Sequence, residues 1–424
     1  MIVYFIALML SLFVMFKLWF RLRYPFWSRQ PVFHLHNLWW WIRPAGTISK
    51  SPPTLDRFVK LVEISNYKFT ELPGSLMHRH VAFIRNFYMN THDCQYHPSM
   101  SNYAPYFQGH SFPCFVSQYT QPHRLYGGAR GGAHGGGARG GAHGGAHGGA
   151  SSVCILDEIM GIMTTRPIFM CMAGRRRPVY YVDYLCVHSR HRGKDIATSL
   201  IHTHHYHQRR KEPKVHVSLF KREGTLMKTV PLCTFPTCTL SANTISYIAH
   251  DLGKKTDLRR GLTATILDED KAYILEDAIG TMCRKDGCTI VAGPQNMRRL
   301  LSTGNIHAVL VTIHNERMAL FFFRDQTCTF GGRKTAALIG TICLSPDAGP
   351  LDFAAAAATA SRKIMAKWKY GVLCVEMLGD TCSWYAGWEA SKSFEEMLPR
   401  SPTGYYLYNF AARPLDAKDV TIVI

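Results

Sequence analysis

The chain has 424 residues, enough for two or more domains with a substantial core, and its 47% apolar content is that of a folded protein. A formal net charge of +20 calls for an anionic partner such as nucleic acid, a membrane surface or a polyphosphate cofactor. The basic residues are scattered, however: Arg175-Arg176-Arg177 and Arg209-Arg210-Lys211 are the unbroken triplets, and no zinc-finger or aromatic-interleaved signature accompanies them. Specific nucleic-acid binding is therefore not expected. Thirteen cysteines, an odd number, fit reduced thiols rather than a disulfide framework. The pairs Cys233/Cys238 and Cys283/Cys288 are spaced more loosely than a zinc knuckle, so no metal site is expected.

The first twenty residues, MIVYFIALMLSLFVMFKLWF, are apolar apart from Ser11 and Lys17. That length spans a bilayer, and no small-residue cleavage site follows, so residues 1–20 read as a single-pass anchor rather than a removable signal peptide. Arg21 and Arg23 follow it and no charged side chain precedes it, which puts the remainder on the cytoplasmic face of a membrane. The alternative is a helix packed on the protein itself. Residues 21–53, aromatic and proline-rich, read as an extended arm clamped to the body. A mixed region runs to Tyr126. Residues 127–150, GGARGGAHGGGARGGAHGGAHGGA, are too glycine-dense to repay the entropy of ordering and read as a flexible insertion.

Beyond the insertion, DEIMGIMTTRPIFMCM and RPVYYVDYLCV read as adjacent strands joined by the turn AGRRR. From Ile196 the apolar positions fall at helical spacing (Ile196, Leu200, Ile201), and Arg209, Arg210 and Lys211 close the segment where cations suit a helix C-terminus. Between strand and helix lies Arg192-Gly193-Lys194-Asp195-Ile196-Ala197. A helix start has unpaired N–H groups and a positive dipole end, and small residues beside two cations make it a phosphate cradle. The plainer reading is a strand-to-helix turn with solvated basic residues. Residues 212–262 read as an irregular polar connection. A second unit follows. AVLVTIHNERMALFFFRDQTCTF is a hairpin turning at His314 to Arg317, and DFAAAAATASRKIMAKWKYG a helix closed by lysine and Gly371. VLCVEML is a strand and SFEEML a short helix. The order of elements repeats, which predicts an α/β (α+β) fold of two tandem acetyltransferase-like halves.

The stretch YVDYLCVHSRHRGKDIA resembles the signature of the glycylpeptide N-myristoyltransferases, Glu-Ile-Asn-Phe-Leu-Cys-Val-His followed by Leu-Arg-Ser-Lys-Arg-Leu-Ala. Three more stretches are similar to that family and colinear with it. FWSRQPV (26–32) looks like Phe-Trp-Asp-Thr-Gln-Pro-Val, GIMTTRP (161–167) like Gly-Phe-Ile-Ser-Ala-Ile-Pro, and YYLYNF (405–410) like Tyr-Tyr-Leu-Tyr-Asn-Trp. The compact, anchored form resembles versions carried by large DNA viruses. The resemblance implies myristoyl-CoA as co-substrate, no permanently bound cofactor, and transfer of myristate to the α-amine of an N-terminal glycine. It implies an acyl-CoA-binding half over 54–230 and a peptide-binding half over 231–424. Tyr184 and Leu185 would supply the oxyanion-hole amides, and Cys186 and Val187 would border the acyl chain or pantetheine. Gly193, Asp195, Ile196 and Ala197 would lie at the pyrophosphate beside Arg192 and Lys194, and Phe26 and Trp27 would line the CoA site unless they simply pack the arm.

The chain departs from the family pattern at Asp195, where the family has arginine, and at Asp183, where it has asparagine. The acidic residues of the family's peptide loop reduce to Asp93 in FYMNTHDCQYHPS. Two other readings therefore stand beside the first: an acyl-CoA N-acyltransferase with another acyl chain or amine, and an inactive membrane-tethered acyl-CoA-binding relative. A glycine amine is mostly protonated at neutral pH and needs a base. His188 follows a strand and no His–Asp pair stands out. The resemblance implies the α-carboxylate of Ile424, and the ending DAKDVTIVI, apolar to its last residue, suits a terminus drawn into a core as well as an ordinary edge strand.

Overall fold

The computed structural model describes residues 1–89, 91, 93–121, 158–256, 261–282, 287–345, 347–389 and 398–424. The Gly-rich segment 127–150 and all but the last residue of SFEEML lie outside the described residues. Helix α1 (Ile2–Arg23) buries only Phe20, against Tyr24, His34 and His36. It is long and apolar enough to cross a membrane. The arm after it includes a 3-10 turn at Trp27–Arg29 and a short helix at Leu38–Ile42. Three contacts hold it to the C-terminal strands. Val32 bridges Tyr408, Gly46–Thr47 pairs with Phe410–Ala411, and Ser49 N–H donates to Asn409 Oδ1 at 2.8 Å.

Fifteen strands form one sheet among the described residues. In chain order they are β1 (Ile64–Lys68), β2 (Cys94–Tyr96), β3 (Phe115–Gln121), β4 (Glu158–Met172), β5 (Arg175–Val187), β6 (Ser218–Glu223), β7 (Cys233–Ser241) and β8 (Leu262–Leu267). Then come β9 (Cys288–Val291), β10 (Ile306–Ile313), β11 (Glu316–Phe330), β12 (Arg333–Cys343), β13 (Val372–Glu376), β14 (Leu398–Tyr408) and β15 (Val420–Val423). Across the sheet the order is β15-β9-β4-β5-β6-β14-β7-β13-β12-β11-β10-β8, with β3 and β1 continuing from β4 and β2 lying on β11. The helices that cover it are α2 (Gly74–Phe87), α3 (Ile196–Lys211), α4 (Ala242–Lys255), α5 (Ala272–Met282), α6 (Pro294–Ser302), α7 (Pro350–Trp368) and α8 (Thr381–Glu389).

Two long hairpins carry this architecture. β4 and β5 turn at Ala173 and Gly174, both at positive φ, and β10 and β11 turn at His314 and Asn315, also both positive. Such a pair matches the twist of antiparallel strands. After β5, and after β12, which pairs antiparallel with β11, the chain crosses over through a helix to a parallel strand: β5–α3–β6, and β12–α7–β13. The repeat is thus two hairpin–helix–strand units, and β14 joins them by pairing β6 on one edge and β7 on the other.

Residues 212–262 depart from expectation. They are not an irregular connection: they hold β6, β7 and α4. In β7 Cys233, Phe235, Cys238 and Leu240 turn inward, and α4 buries Ile245, Ile248 and Leu252. Interleaved threonines and Pro236 lower the hydropathy of the strand and hide its alternation, although threonine suits a strand. Helix α7 ends earlier than expected. Lys369 takes the left-handed conformation at φ 56°, and Tyr370 N–H closes on Met365 O at 3.0 Å, before Gly371 is reached.

Candidate active site

The site begins where β5 leaves β6. These parallel strands pair over Tyr180↔Ser218 and Tyr181↔Leu219 and then diverge, so from Val182 onward β5 has no strand partner on that side among the described residues. Opposite β4 the β5 register slips by one: Thr165 faces Val182, Thr164 faces Tyr184, and Asp183 is the extra residue of a β-bulge. A bulge re-aims side chains and main-chain donors at one point of a ladder. Here it lies at the mouth of the divergence. Tyr184 N–H donates to Thr164 Oγ1 at 3.1 Å. The Tyr184 ring packs with Tyr88, Tyr96 and Tyr103, and its hydroxyl meets that of Tyr96 at 2.6 Å. Leu185 and Val187 face the other way, with Ile196 and Leu200 of α3. Cys186 is buried, and burial pushes its thiol up to about 12.

The basic turn follows. Gly193 (φ 80°) and Asp195 (φ 56°) are both left-handed, and the Asp195 side chain caps none of the α3 amides. The first N–H groups of α3 therefore face outward uncapped, with Arg192, Gly193, Lys194 and Asp195 exposed around them. Arg192 is partly spent: its Nη2 donates to Phe87 O at 2.8 Å and its Nε to Val187 O at 3.3 Å. Ile196 turns its side chain into the core, and Ala197 is half-buried. α3 lies close on the sheet because Gly161 has no side chain; a Cβ there would be 2.8 Å from Leu200 Cδ1 and 3.1 Å from Ile196 Cγ2. Phe26 is buried against Trp27, Phe58 and His202, a turn and more along α3 from its start, while Trp27 is half-buried.

Ile424 approaches from the other side. β15 pairs in parallel with β9, and Ile424 is 1% exposed, in the cluster that holds Tyr181 and Tyr405. Arg324 of β11 donates through Nη2 to the Ile424 oxygen. Burial opposes the Arg324 charge, but Tyr106, Tyr181, Glu376 and Tyr405 around it hold its pKa above the ordinary range. Two ion-pair systems flank it. Arg166, fully buried, places Nε 2.9 Å from Asp183 Oδ1, donates through Nη1 to Asn296 Oδ1 at 3.3 Å, and covers the Tyr106 and Tyr181 rings. Lys221 of β6 lies 2.6 Å from Glu223 and 2.9 Å from Glu376.

Tyr184 to Ala197 span the end of β5 and the start of α3, and Ile424 is buried. Thr164, Arg166, Lys221, Arg324 and Glu376 escaped notice. Arg166 is a charged residue in a strand buried along almost its whole length, which was the signal available for it, whereas Lys221 sits in the half-charged, partly exposed strand SLFKRE and gave no such signal.

No family model and no curated protein sequence matches the chain. Solved structures do. Saccharomyces cerevisiae N-myristoyltransferase with bound myristoyl-CoA superposes with a TM-score of 0.64 at 11% identity, over 93% of this chain and 90% of that one. A second structure of that enzyme with myristoyl-CoA gives 0.61 at 10% identity, over 93% and 94%. A third, with myristoyl-CoA and inhibitors, gives 0.64 at 10% identity, over 95% and 94%. The fold is therefore a tandem acetyltransferase-like α/β fold. More particularly, it is the N-myristoyltransferase fold, at very low sequence identity.

Proposed function

We propose that the chain is a protein N-myristoyltransferase. It would transfer myristate from myristoyl-CoA to the α-amine of an N-terminal glycine. The observation that carries this reading is the β5 bulge, open along one strand edge, beside a buried charge cluster into which Ile424 is drawn. In this reading the uncapped start of α3 binds the CoA diphosphate through the amides of Gly193 to Ala197. Lys194 and Arg192 add charge, and the outward Asp195 carboxylate leaves the amides clear. Phe26 and Trp27 flank α3 from the arm, and Cys186 and Val187 border the acyl chain or pantetheine. Residues 54–230 serve as the acyl-CoA half and 231–424 as the acceptor half.

The charge cluster suits an amine. For a chain that ends at Ile424, the carboxylates of Asp183, Glu223, Glu376 and Ile424 face the cations Arg166, Lys221 and Arg324. One negative charge is left over for a cationic acceptor. The Ile424 carboxylate takes a proton from the glycine ammonium. The freed amine attacks the thioester carbon and the C–N bond forms. Leu185 N–H, and Tyr184 N–H once the Thr164 hydroxyl yields it, hold the oxyanion. Collapse breaks the C–S bond, the attacking nitrogen gives up its second proton as the amide forms, and CoA leaves as the thiol carrying that proton. α1 serves as a single-pass anchor that keeps the rest on the cytoplasmic side, so removing residues 1–20 releases the protein from membranes.

The test is to incubate the protein with acyl-CoAs of graded chain length and with peptides starting in Gly or Ala, then weigh the products. Myristoylated Gly peptide alone is expected. Transfer of another chain, or to another amine, selects the broader N-acyltransferase reading. Acyl-CoA binding without transfer selects the inactive one.

A further inference from the structure

We propose that the short helix Leu38–Ile42 docks on the bilayer surface beside α1, with Leu38, Trp39 and Ile42 among the lipid headgroups. The proposal rests on the reading of α1 as a single-pass anchor. Its starting point is the path of the arm. After Tyr24 the chain turns back on α1: the rings of His34 and His36 each lie 5.2 Å from Phe20, and that of His36 lies 6.0 Å from Phe16. A helix rises about 1.5 Å per residue, so Phe16 lies about 10 Å short of Arg23 along α1. With Arg21 and Arg23 in the headgroups, a segment beside Phe16 is at the level where headgroups meet hydrocarbon, because each interfacial layer is only about 5–8 Å thick. Trp19 and Tyr24, edge to face at 6.1 Å, mark the same level, where aromatic side chains settle. The arm therefore enters the interface with the anchor.

The short helix that follows has two faces. Trp40 and Trp41 turn to the body: they pack with Phe33, Val230 and Ala411, and Trp41 Nε1 donates to Leu35 O at 3.1 Å. Leu38, Trp39 and Ile42, at positions i, i+1 and i+4, turn away from it and are 63, 52 and 69% exposed. Arg43, also exposed, lies 4.2 Å over the Trp39 ring. An apolar face with a tryptophan and a cation at its edge suits an element that lies in the interface. Charge agrees. Lys17, Arg21, Arg23, Arg29, Arg43 and Lys50 all precede the first acidic residue of the chain, Asp56. Such a run is drawn to anionic headgroups and repelled by a second, equally basic copy of itself, which favours lipid over a dimer as the occupant. The clamps say what docking does. Val32 on Tyr408 and Gly46–Thr47 on Phe410–Ala411 bracket the short helix, so a docked face holds the end of β14 toward the bilayer and stops the body turning about α1.

The test places p-benzoylphenylalanine singly in place of Trp19, Trp39 or Tyr247 in the full chain, held in nanodiscs of phosphatidylcholine and phosphatidylserine. Illumination joins that side chain to whatever touches it, and the adducts are weighed. Positions 19 and 39 should form lipid adducts, whereas position 247, equally exposed but on α4 of the body, should not. Leu38→Asp with Ile42→Asp, both at exposed positions, should cut the lipid adduct at 39 severalfold and leave that at 19 unchanged. A lipid adduct at 19 without one at 39 overturns the docking while the anchor stands. So does an adduct at 39 to a second copy of the chain, which would give the face to a dimer. An undiminished adduct at 39 in the double variant also overturns it, since the anchor alone would then hold the ring against lipid. If position 19 forms no lipid adduct the anchor reading falls, and the adduct at 39 still decides the docking.

Discussion

The two hairpin–helix–strand units of this molecule share a plan and differ where chemistry is placed. In the first, β5 and β6 pair over two residues and part, a bulge sits at the fork, and the crossover helix starts uncapped beside Lys194. In the second, β12 and β13 stay paired from Thr335↔Val372 to Leu338↔Val375. Its crossover helix α7 starts with Asp352 in the first turn, and Ala354 to Ala358 are buried along it. An acidic first turn satisfies the helix dipole internally and repels an anion. Small side chains let α7 lie flat and closed on the sheet. One copy of the plan is therefore open along a strand edge, and the other is closed. The closed copy still reaches the site, because β12 backs the terminal strand: a Cβ at Gly340 would lie 2.9 Å from Val423 Cγ2 and 3.2 Å from Ile422 O.

The sharpest way to break the comparison is at that contact. Gly340→Ala should push β15 away and cost roughly 100-fold in kcat, since a shift of about 1 Å at a reacting group costs that much. Acyl-CoA affinity should hold; calorimetry beside steady-state kinetics checks both. A substitution in the open unit should do the reverse. Gly161→Val would collide with Leu200 and Ile196, destabilise the fold by about 1–3 kcal/mol in denaturant titration, and weaken acyl-CoA binding by lifting α3. Equal effects of both substitutions on both readouts would contradict the division of labour.

Reversing charge at the two helix starts sharpens it further. Lys194→Glu should weaken acyl-CoA binding roughly tenfold by calorimetry, and Asp352→Lys should leave it unchanged while costing about 0.3–1 kcal/mol of stability. The smallest contrast is in acid. Burial lowers His204 of α3 to about 3 and His307 of β10 to about 4. Both bind protons in the unfolded chain near 6.5 but not in the native one, so stability falls as pH drops from 6.5 toward about 4. Thermal melts across that window should flatten in His204→Gln and, less so, in His307→Gln.

The open unit was also the more legible one in sequence. Its apolar strand, small basic turn and periodic helix stand side by side, so Tyr184 to Ala197 could be placed before any fold was known. The Ala-rich helix of the closed unit was equally plain, but what joins the units was not. β7 hides its inward face behind threonines. The Arg166–Asp183 pair joins residues 17 apart on neighbouring strands, and its register depends on the bulge. Arg324 meets Ile424 across 100 positions. Local periodicity carries no information at that range. The Thr164 hydroxyl on the Tyr184 amide is a product of the same bulge, and no spacing rule would have pointed to it.

The measurement that tests the account most directly is acyl transfer to a Gly-starting peptide by the protein as it stands and by a form carrying two extra glycines after Ile424, with myristoyl-CoA binding followed in both. The account predicts transfer by the first, loss of transfer in the second, and equal myristoyl-CoA affinity, because the extension moves the carboxylate several ångströms from Arg324 and leaves the β5 bulge and α3 intact. Full transfer by the extended form would contradict it.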